Sequence, residues 1–94
     1  MQNNAEAAAG LLKSLANSSR LMVLCALVSR EHTVGELEQL TGLSQSAISQ
    51  HMARLREAGI VSTRRDAQRI FYSLDNAEVR AVLETLHGVY CAEP

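Results

Sequence analysis

The sequence lacks features that are typical of several protein classes. It contains no tryptophan, one proline and five glycines, and aromatic residues make up 3% of the chain. It has no run of about 20 apolar residues, the length that a membrane span needs. It also lacks internal repeats, low-complexity segments and a Cys-x-x-Cys pair. These absences argue against a membrane protein, a repeat protein and a thiol oxidoreductase, and the shortage of proline and glycine indicates a mostly helical chain.

The first six residues lack the basic and apolar regions of a secretory signal, so we expect a cytoplasmic protein. In that compartment, two cysteines are not expected to form a permanent structural disulfide. A length of 94 residues allows one domain. A chain this short buries only about 60–65% of its unfolded surface, so a monomer would be marginally stable. We therefore expect a homodimer.

The positive charge is concentrated in one part of the chain. Residues 44–72 hold five arginines and two acidic residues, five minus two giving a net charge of +3. The whole chain has a net charge of −1, which leaves −4 for the remaining residues. A local basic segment permits binding to nucleic acid even when the whole chain is slightly acidic.

Apolar spacing and turn residues predict a mainly α fold with a β-hairpin. We expect the order α-α-α-α-β-β-α. The helices are predicted at about 5–15, 19–29, 33–41, 44–58 and 76–90, and the strands at 60–65 and 69–74 with 66–68 between them. The helix-turn-helix is predicted at about 33–58, the wing at 60–74, and the dimerisation helices at 5–16 and 76–91.

The third and fourth predicted helices have the start and stop residues of a helix-turn-helix. Thr33 and Glu36 form a Thr-x-x-Glu capping box, and Gly42 is placed to end the short helix. Ser44 is a good N-cap for the next helix. A short helix, a glycine-containing turn and a second helix with polar exposed residues are typical of DNA-binding proteins, which place the second helix in the major groove.

The polar side chains of this segment are the candidate DNA contacts. Gln and Arg side chains can bond base edges bidentately, and arginines on a projecting hairpin suit phosphate or minor-groove contacts. A solvated hairpin with ordinary surface arginines is the alternative interpretation of the wing. We predict groove-facing Gln45, Ser46, Ser49 and Gln50 beside Ser44, a phosphate contact at Arg54, and wing contacts at Arg64, Arg65, Gln68 and Arg69. His51 contacts phosphate or packs within the helix.

Four segments carry a family resemblance. They are Val34-Gly35-Glu36-Leu37, Ser44-Gln45-Ser46-Ala47-Ile48-Ser49-Gln50-His51, Leu55-Arg56-Glu57-Ala58-Gly59-Ile60-Val61 and Arg69-Ile70-Phe71-Tyr72-Ser73-Leu74. In these the chain resembles the ArsR/SmtB family of prokaryotic repressors over nearly its whole length. The resemblance implies a winged helix-turn-helix homodimer that binds an imperfect palindromic operator in double-stranded DNA and releases it when an inducer binds.

The metal sites of that family do not carry over. The Cys-Val-Cys pattern of one site corresponds to Thr33-Val34-Gly35. The other site needs His-x-x-Glu near the end of the last helix, where residues 89–92 offer no such pattern. Cys25, Cys91 and His87 together form a weak alternative set of three ligands. We expect no metal and no cofactor, although a metal-responsive repressor and an inducer-independent anti-silencing protein stay open as alternatives.

The two cysteines are the candidate sensor. Cys25 in the second helix is a buried small hydrophobe or a reactive thiol, whereas Cys91 at the end of the last helix has little structural reason to exist. An imidazolium at His87 would favour a thiolate at Cys91, and the helix C-terminus would disfavour it. This pair resembles the sulfur-sensing BigR/SqrR/HlyU branch of the family. That resemblance implies bridging of the two thiols by one or more sulfur atoms from reactive sulfur species.

Two other classes of function compete with this prediction. A catalytic dithiol would make the chain an enzyme, but the sequence has no βαβ pattern to support one. A helix-turn-helix domain that binds only proteins is the second rival. DNA binding would be salt-sensitive, and binding to a protein partner need not be.

Overall fold

The computed structural model describes the backbone of residues 2–90 and the side chains of residues 4–90. It confirms the mainly α architecture with a hairpin. The elements are α1 (Gln2–Leu15), α2 (Ser18–Ser29), β1 (His32–Thr33), α3 (Val34–Thr41), α4 (Gln45–Glu57), β2 (Val61–Asp66), β3 (Arg69–Leu74) and α5 (Ala77–Tyr90). Cys91 lies outside the described residues.

The helix starts follow from short polar side chains. Asn17 caps α2 by accepting a hydrogen bond from the backbone N–H of Arg20, and Asn76 accepts one from Val79 at the start of α5. Thr33 and Glu36 form the predicted capping box of α3. Each cap satisfies a backbone donor that the first turn of a helix leaves unpaired.

Two glycines in left-handed backbone set the ends of α3 and α4. Gly42, with φ of +76°, donates its N–H to the carbonyl of Glu38, and Ser44 then caps α4. After α4, Gly59 has φ of +75° and donates to Arg56, while Ile60 donates to the carbonyl of Leu55. These two bonds make a Schellman motif, and Leu55 and Ile60 are both buried beside it.

The loop of the wing is shorter than the sequence predicted. Asp66 pairs with Arg69 as the last register of the β2–β3 hairpin, so only Ala67 and Gln68 form the turn. Ala67 has φ of +57°, a value that two-residue hairpin turns require at their first central position. At the other end β2 begins one residue later than predicted, because the backbone of Ile60 is engaged in the Schellman motif.

A third strand, β1, was not predicted, because a two-residue strand is too short to show alternation. It pairs antiparallel with β3, His32 opposite Tyr72 and Thr33 opposite Phe71. The sheet order is therefore β1-β3-β2. Since Thr33 is also the N-cap of α3, this pairing joins the wing directly to the helix-turn-helix.

The core lies between α2, α3, α4 and α5, with the base of the wing closing one side. Among the described residues its buried hydrophobic members are Leu15, Val23, Leu24, Leu27, Leu37, Ile48, Met52, Leu55, Ile60, Val61, Val79 and Leu83. Within residues 2–90 no single helix has the length and apolar character to cross a membrane, and α1 with α2 passes that test only as a pair bent by 92°.

Candidate nucleic-acid interface

Helix α4 divides into a buried face and an exposed polar face. Ile48, Met52 and Leu55 are fully buried and fix the rotation of the helix about its axis. The opposite side presents the predicted groove-facing residues to solvent, together with the predicted phosphate contact. All of Ser44, Gln45, Ser46, Ser49, Gln50 and Arg54 are exposed. The arrangement offers amide, hydroxyl and guanidinium groups to a ligand that lies along α4.

His51 lies at the boundary between these two faces and is half-buried. Burial lowers the pKa of His51, and the positive charges of Arg20 and Arg54 lower that pKa further. The neutral imidazole is therefore favoured at this position. The surroundings of His51 are electropositive on the side where α4 faces α2.

The first residue of α4 and the tip of the wing share one groove. Gln45, Gln68 and Arg69 line it together with Gly35 at the start of α3. The structure thus brings predicted residues from the helix and from the wing to one surface. A single rod-shaped ligand lying along α4 can reach both.

Arg64 is held within the protein by Glu31. Its Nε lies 3.0 Å from each carboxylate oxygen of Glu31, and its guanidinium lies 4.5 Å from the centroid of the Phe71 ring, its cross-strand partner. Hydrogen bonding from Arg64 lowers the pKa of Glu31, and the same bond raises the pKa of Arg64. Arg64 therefore anchors β2 to the residues before β1, a role that the sequence did not predict.

Arg69 packs over the same ring, 5.0 Å from the centroid of Phe71, and its NH2 group lies 3.8 Å from a carboxylate oxygen of Glu36. Glu36 also accepts the backbone N–H of Thr33 at 3.0 Å and faces Nδ1 of buried His32 at 3.3 Å. The Thr33 bond is the main cause of the lowered pKa of Glu36. The carboxylate of Glu36 thus completes the cap of α3 and lies near the wing residue Arg69.

Arg65 and Gln68 differ from Arg64 and Arg69 in their surroundings. Both are exposed on the wing, and in the part of the chain that the structure describes neither side chain has a hydrogen bond or ion pair. Arg64 lies opposite Phe71 because the turn has two residues. The three-residue loop expected from the sequence would have placed Arg64 opposite Ile70, so this cation–π contact was not predicted. The acidic partners Glu31 and Glu36 come from outside the hairpin and were not predictable from it.

Cys25 lies on α2, half-buried, where α2 packs against α5. It borders an apolar cavity of about 270 Å³ together with Leu21, Leu86, His87 and Tyr90. Tyr90 is the last described residue, and Cys91 follows it in the sequence. Among the described residues no group of three His, Cys, Asp or Glu side chains is placed to hold a metal ion.

Comparison with known proteins identifies the family. Residues 17–63 match the model described as bacterial regulatory protein, arsR family. HlyU of Vibrio cholerae, a transcriptional activator, is 50% identical over 91 residues, which cover 97% of this chain and 84% of HlyU. The chain belongs to the ArsR family.

Solved structures of ArsR-family proteins have the same fold. Reduced HlyU from Vibrio cholerae matches with a TM-score of 0.92 at 50% identity, covering 97% of this chain and 96% of that one. The transcriptional repressor BigR from Xylella fastidiosa matches with a TM-score of 0.89 at 44% identity, covering 99% and 95%. This ArsR-family chain is a winged helix-turn-helix DNA-binding transcriptional regulator and not an enzyme.

Proposed function

We propose that this chain is a homodimeric repressor whose binding to a palindromic operator ends when Cys25 and Cys91 become bridged by sulfur. The observation that carries the proposal is the position of Cys25 in an apolar cavity between α2 and α5, with Tyr90 on its wall. A covalent link at this place would tie the central helix of the domain to the last one. Repression is the activity named for the similar BigR, and activation is the one named for HlyU.

The dimer is proposed to form through α1 and α5. Three large hydrophobic side chains on these helices are more than half exposed: Leu12 at 54%, Val89 at 68% and Tyr90 at 80%. A domain of this size gains stability by burying such side chains against a second copy. Two-fold symmetry then places two α4 helices about 34 Å apart, one turn of B-DNA, and favours a palindromic operator.

Each α4 is proposed to lie in the major groove. Gln45, Ser46, Ser49 and Gln50 would contact base edges, where a good bidentate pair discriminates by about 1–3 kcal/mol. Ser44, His51 and Arg54 would contact the flanking backbone. On the wing, Arg65 and Gln68 would contact DNA beside Arg69. Arg64 would take part only by exchanging Glu31 for a phosphate, since its guanidinium is engaged in the protein.

The switch is proposed to begin with a persulfide, RSSH. A cysteine thiolate attacks the sulfane sulfur, the S–S bond of RSSH breaks, and the thiol RSH leaves with the proton. A second RSSH modifies the other cysteine in the same way. The persulfide anion on Cys25 then attacks Sγ of Cys91 and displaces HS⁻. Two persulfides are reduced, two thiols are oxidised, and a three-sulfur bridge forms with release of hydrogen sulfide.

A sulfur-inserted bridge is preferred to a direct disulfide for a geometric reason. A disulfide demands Cα atoms within about 7 Å, and an additional sulfur relaxes this limit. The bridge would change the packing of α5 on α2 and, through the dimer contacts of α5, the spacing of the two α4 helices. A coupling of about 1–3 kcal/mol, equal to 5–150-fold in operator affinity, is sufficient for a switch.

The experiment measures duplex binding by wild type, Cys25→Ser and Cys91→Ser, with and without a persulfide donor. The duplex is one selected from random sequence by the reduced wild-type protein. We expect the donor to weaken binding by wild type at least fivefold and to leave both serine variants bound. Release by either variant to the extent of wild type would refute the dithiol switch.

Intact mass provides the chemical control for the same samples. The three-sulfur bridge adds one sulfur atom and removes two hydrogens, whereas a direct disulfide only removes the two hydrogens. A peroxide-treated sample serves as the comparison for the direct disulfide. Detection of the direct disulfide alone after persulfide treatment would contradict the sulfur-inserted bridge.

A further inference from the structure

The basic side chains of the domain fall into two groups. Among the described residues, four of the nine have a partner: Arg30, Arg64 and Arg69 face glutamates, and Arg80 donates to the carbonyl of Val28. Within the described part of the chain, the other five have no ion pair and no side-chain hydrogen bond. They are Lys13, Arg20, Arg54, Arg56 and Arg65.

Three of these five meet in one cleft. Lys13 of α1, Arg20 of α2 and Arg54 of α4 line a cleft of about 240 Å³, which Gly10, Ser14 and Leu55 complete. Among the described residues, none of those that line this cleft is acidic. The three positive charges come from three helices, so the fold concentrates them although they are far apart in sequence.

Arg20 lines the cleft, and one of its hydrogen-bond donors is buried without a partner. Its Nε is buried and has no hydrogen-bond partner, the only such buried side-chain atom among the described residues. A buried donor without a partner is destabilising, and such groups in native structures call for an explanation. An oxyanion in the cleft would be attracted by the charges of Lys13, Arg20 and Arg54, and it would accept this N–H once the Arg20 side chain turned towards it.

The neighbouring His51 lies close enough to Arg20 and Arg54 to be affected by their charges. The pKa of His51 is lowered by its burial and then by the charges of Arg20 and Arg54. The nearest acidic residues along α1 and α4, Glu6 and Glu57, form no ion pair with the three cationic side chains. Among the described residues, no carboxylate therefore lies within ion-pair distance of Lys13, Arg20 or Arg54.

We propose that the cleft between α1, α2 and α4 is a binding site for a phosphate group. Arg20 and Arg54 would donate charge-assisted hydrogen bonds, and Lys13 would contribute a third positive charge. The phosphate comes either from the backbone of bound DNA beside α4 or from a free phosphate anion. The first source rests on the proposed mode of DNA binding, and the second stands without it.

The test follows the Nε–H signal of Arg20 by ¹H–¹⁵N NMR during titration with inorganic phosphate at constant ionic strength. The signal is identified by its loss in Arg20→Gln. If that variant does not fold, it is the Nε–H signal that persists when each of the other seven arginines is replaced in turn. We expect a downfield shift of the proton on binding and a rise in the pKa of His51, because phosphate compensates the field. Arg54→Gln should weaken phosphate binding about tenfold or more, and Arg56→Gln, on the same helix but outside the cleft, should not.

A second titration with a 24-base-pair duplex separates the two sources. If the duplex moves the Arg20 signal and phosphate competes for it, the backbone supplies the phosphate; if only phosphate moves it, the ligand is a free anion. Either result supports the site. If the duplex binds, as followed by fluorescence anisotropy, and neither ligand moves the signal, the phosphate site is wrong while the proposed function stands. If phosphate moves the signal and no duplex binds, the proposed function fails instead.

Discussion

Two positions have left-handed backbone conformation, one occupied by glycine and the other by alanine. Exchanging these residue types is expected to lower stability at the first position and raise it at the second. Gly59 has φ of +75° and Ala67 has φ of +57°. A residue with a Cβ destabilises the folded state by roughly 1–2 kcal/mol in this conformation. Glycine, in turn, costs roughly 0.4–1 kcal/mol through the entropy of the unfolded chain. The difference between these two effects is about 1 kcal/mol in the free energy of unfolding. Gly59→Ala should lose this stability, and Ala67→Gly should gain it.

The cost at Gly59 comes from the backbone alone, because a Cβ added there meets no atom within 4 Å. The assay is thermal unfolding followed by circular dichroism at one fixed protein concentration, since the Tm of a dimer depends on concentration. For a domain of this size, 1 kcal/mol corresponds to a shift of roughly 4–8 °C. We expect Gly59→Ala to unfold lower and Ala67→Gly to unfold higher than wild type by about that amount.

Gly10→Ala is the matched control for the glycine substitution. Gly10 lies inside α1 without a positive φ, and a Cβ there also meets no atom within 4 Å. In a helix interior, replacing glycine by alanine stabilises by roughly 0.5–1 kcal/mol. A Gly59→Ala protein that is stabilised like Gly10→Ala, or an Ala67→Gly protein that is less stable than wild type, would refute the reasoning from backbone conformation.

Three further predictions concern DNA binding, pH and assembly. Arg65→Gln should reduce the slope of log K against log salt for a DNA duplex by about 0.9, and Arg80→Gln on α5 should not; equal slopes would exclude a wing phosphate contact at Arg65. Because the pKa of His51 is lowered in the folded state, its contribution to stability is present above the unfolded pKa of about 6.5 and is lost as pH falls below it. His51→Gln should therefore lose less stability than wild type between pH 7.5 and 5.5 in urea unfolding, and an equal loss would contradict the assigned pKa direction. Leu12→Glu should shift the protein towards monomer in analytical ultracentrifugation, whereas an unchanged dimer would remove α1 from the interface.

The helix-turn-helix could be predicted from the sequence because the residues that determine it act locally. Caps at Thr33 and Ser44 and a left-handed Gly42 act within a few residues, so each could be predicted from a short window. The rotation of α4 was predictable too, because Ile48, Met52 and Leu55 mark the buried face by spacing alone. The same reasoning fails in α3, where the apolar spacing of Val34, Leu37 and Leu40 predicts that Leu40 faces inward, whereas Leu40 is 60% exposed.

The parts that could not be predicted depend on contacts between distant segments. Glu31 is 33 residues from Arg64, and their ion pair requires the wing to fold back beside β1. The cleft of Lys13, Arg20 and Arg54 requires three helices to meet. Periodicity assigns residues to faces, but it does not say which faces of different helices oppose each other. Counting charges along the sequence located the basic segment. It did not show that two arginines of this segment, Arg64 and Arg69, pair with glutamates outside it.

The double role of Thr33, as strand partner of Phe71 and cap of α3, has a consequence for how such a protein can be controlled. Bending the wing would disturb the cap, and tilting α3 would disturb the strand pairing, so we expect the wing and α3 to move together. In the proposed homodimer, control over DNA affinity would then act outside this unit, in the packing of α5 on α2 and between the two copies. Under the proposed switch, substitutions along α1 and α5 would tune the release of DNA while the preference for one base sequence over another stays as it was.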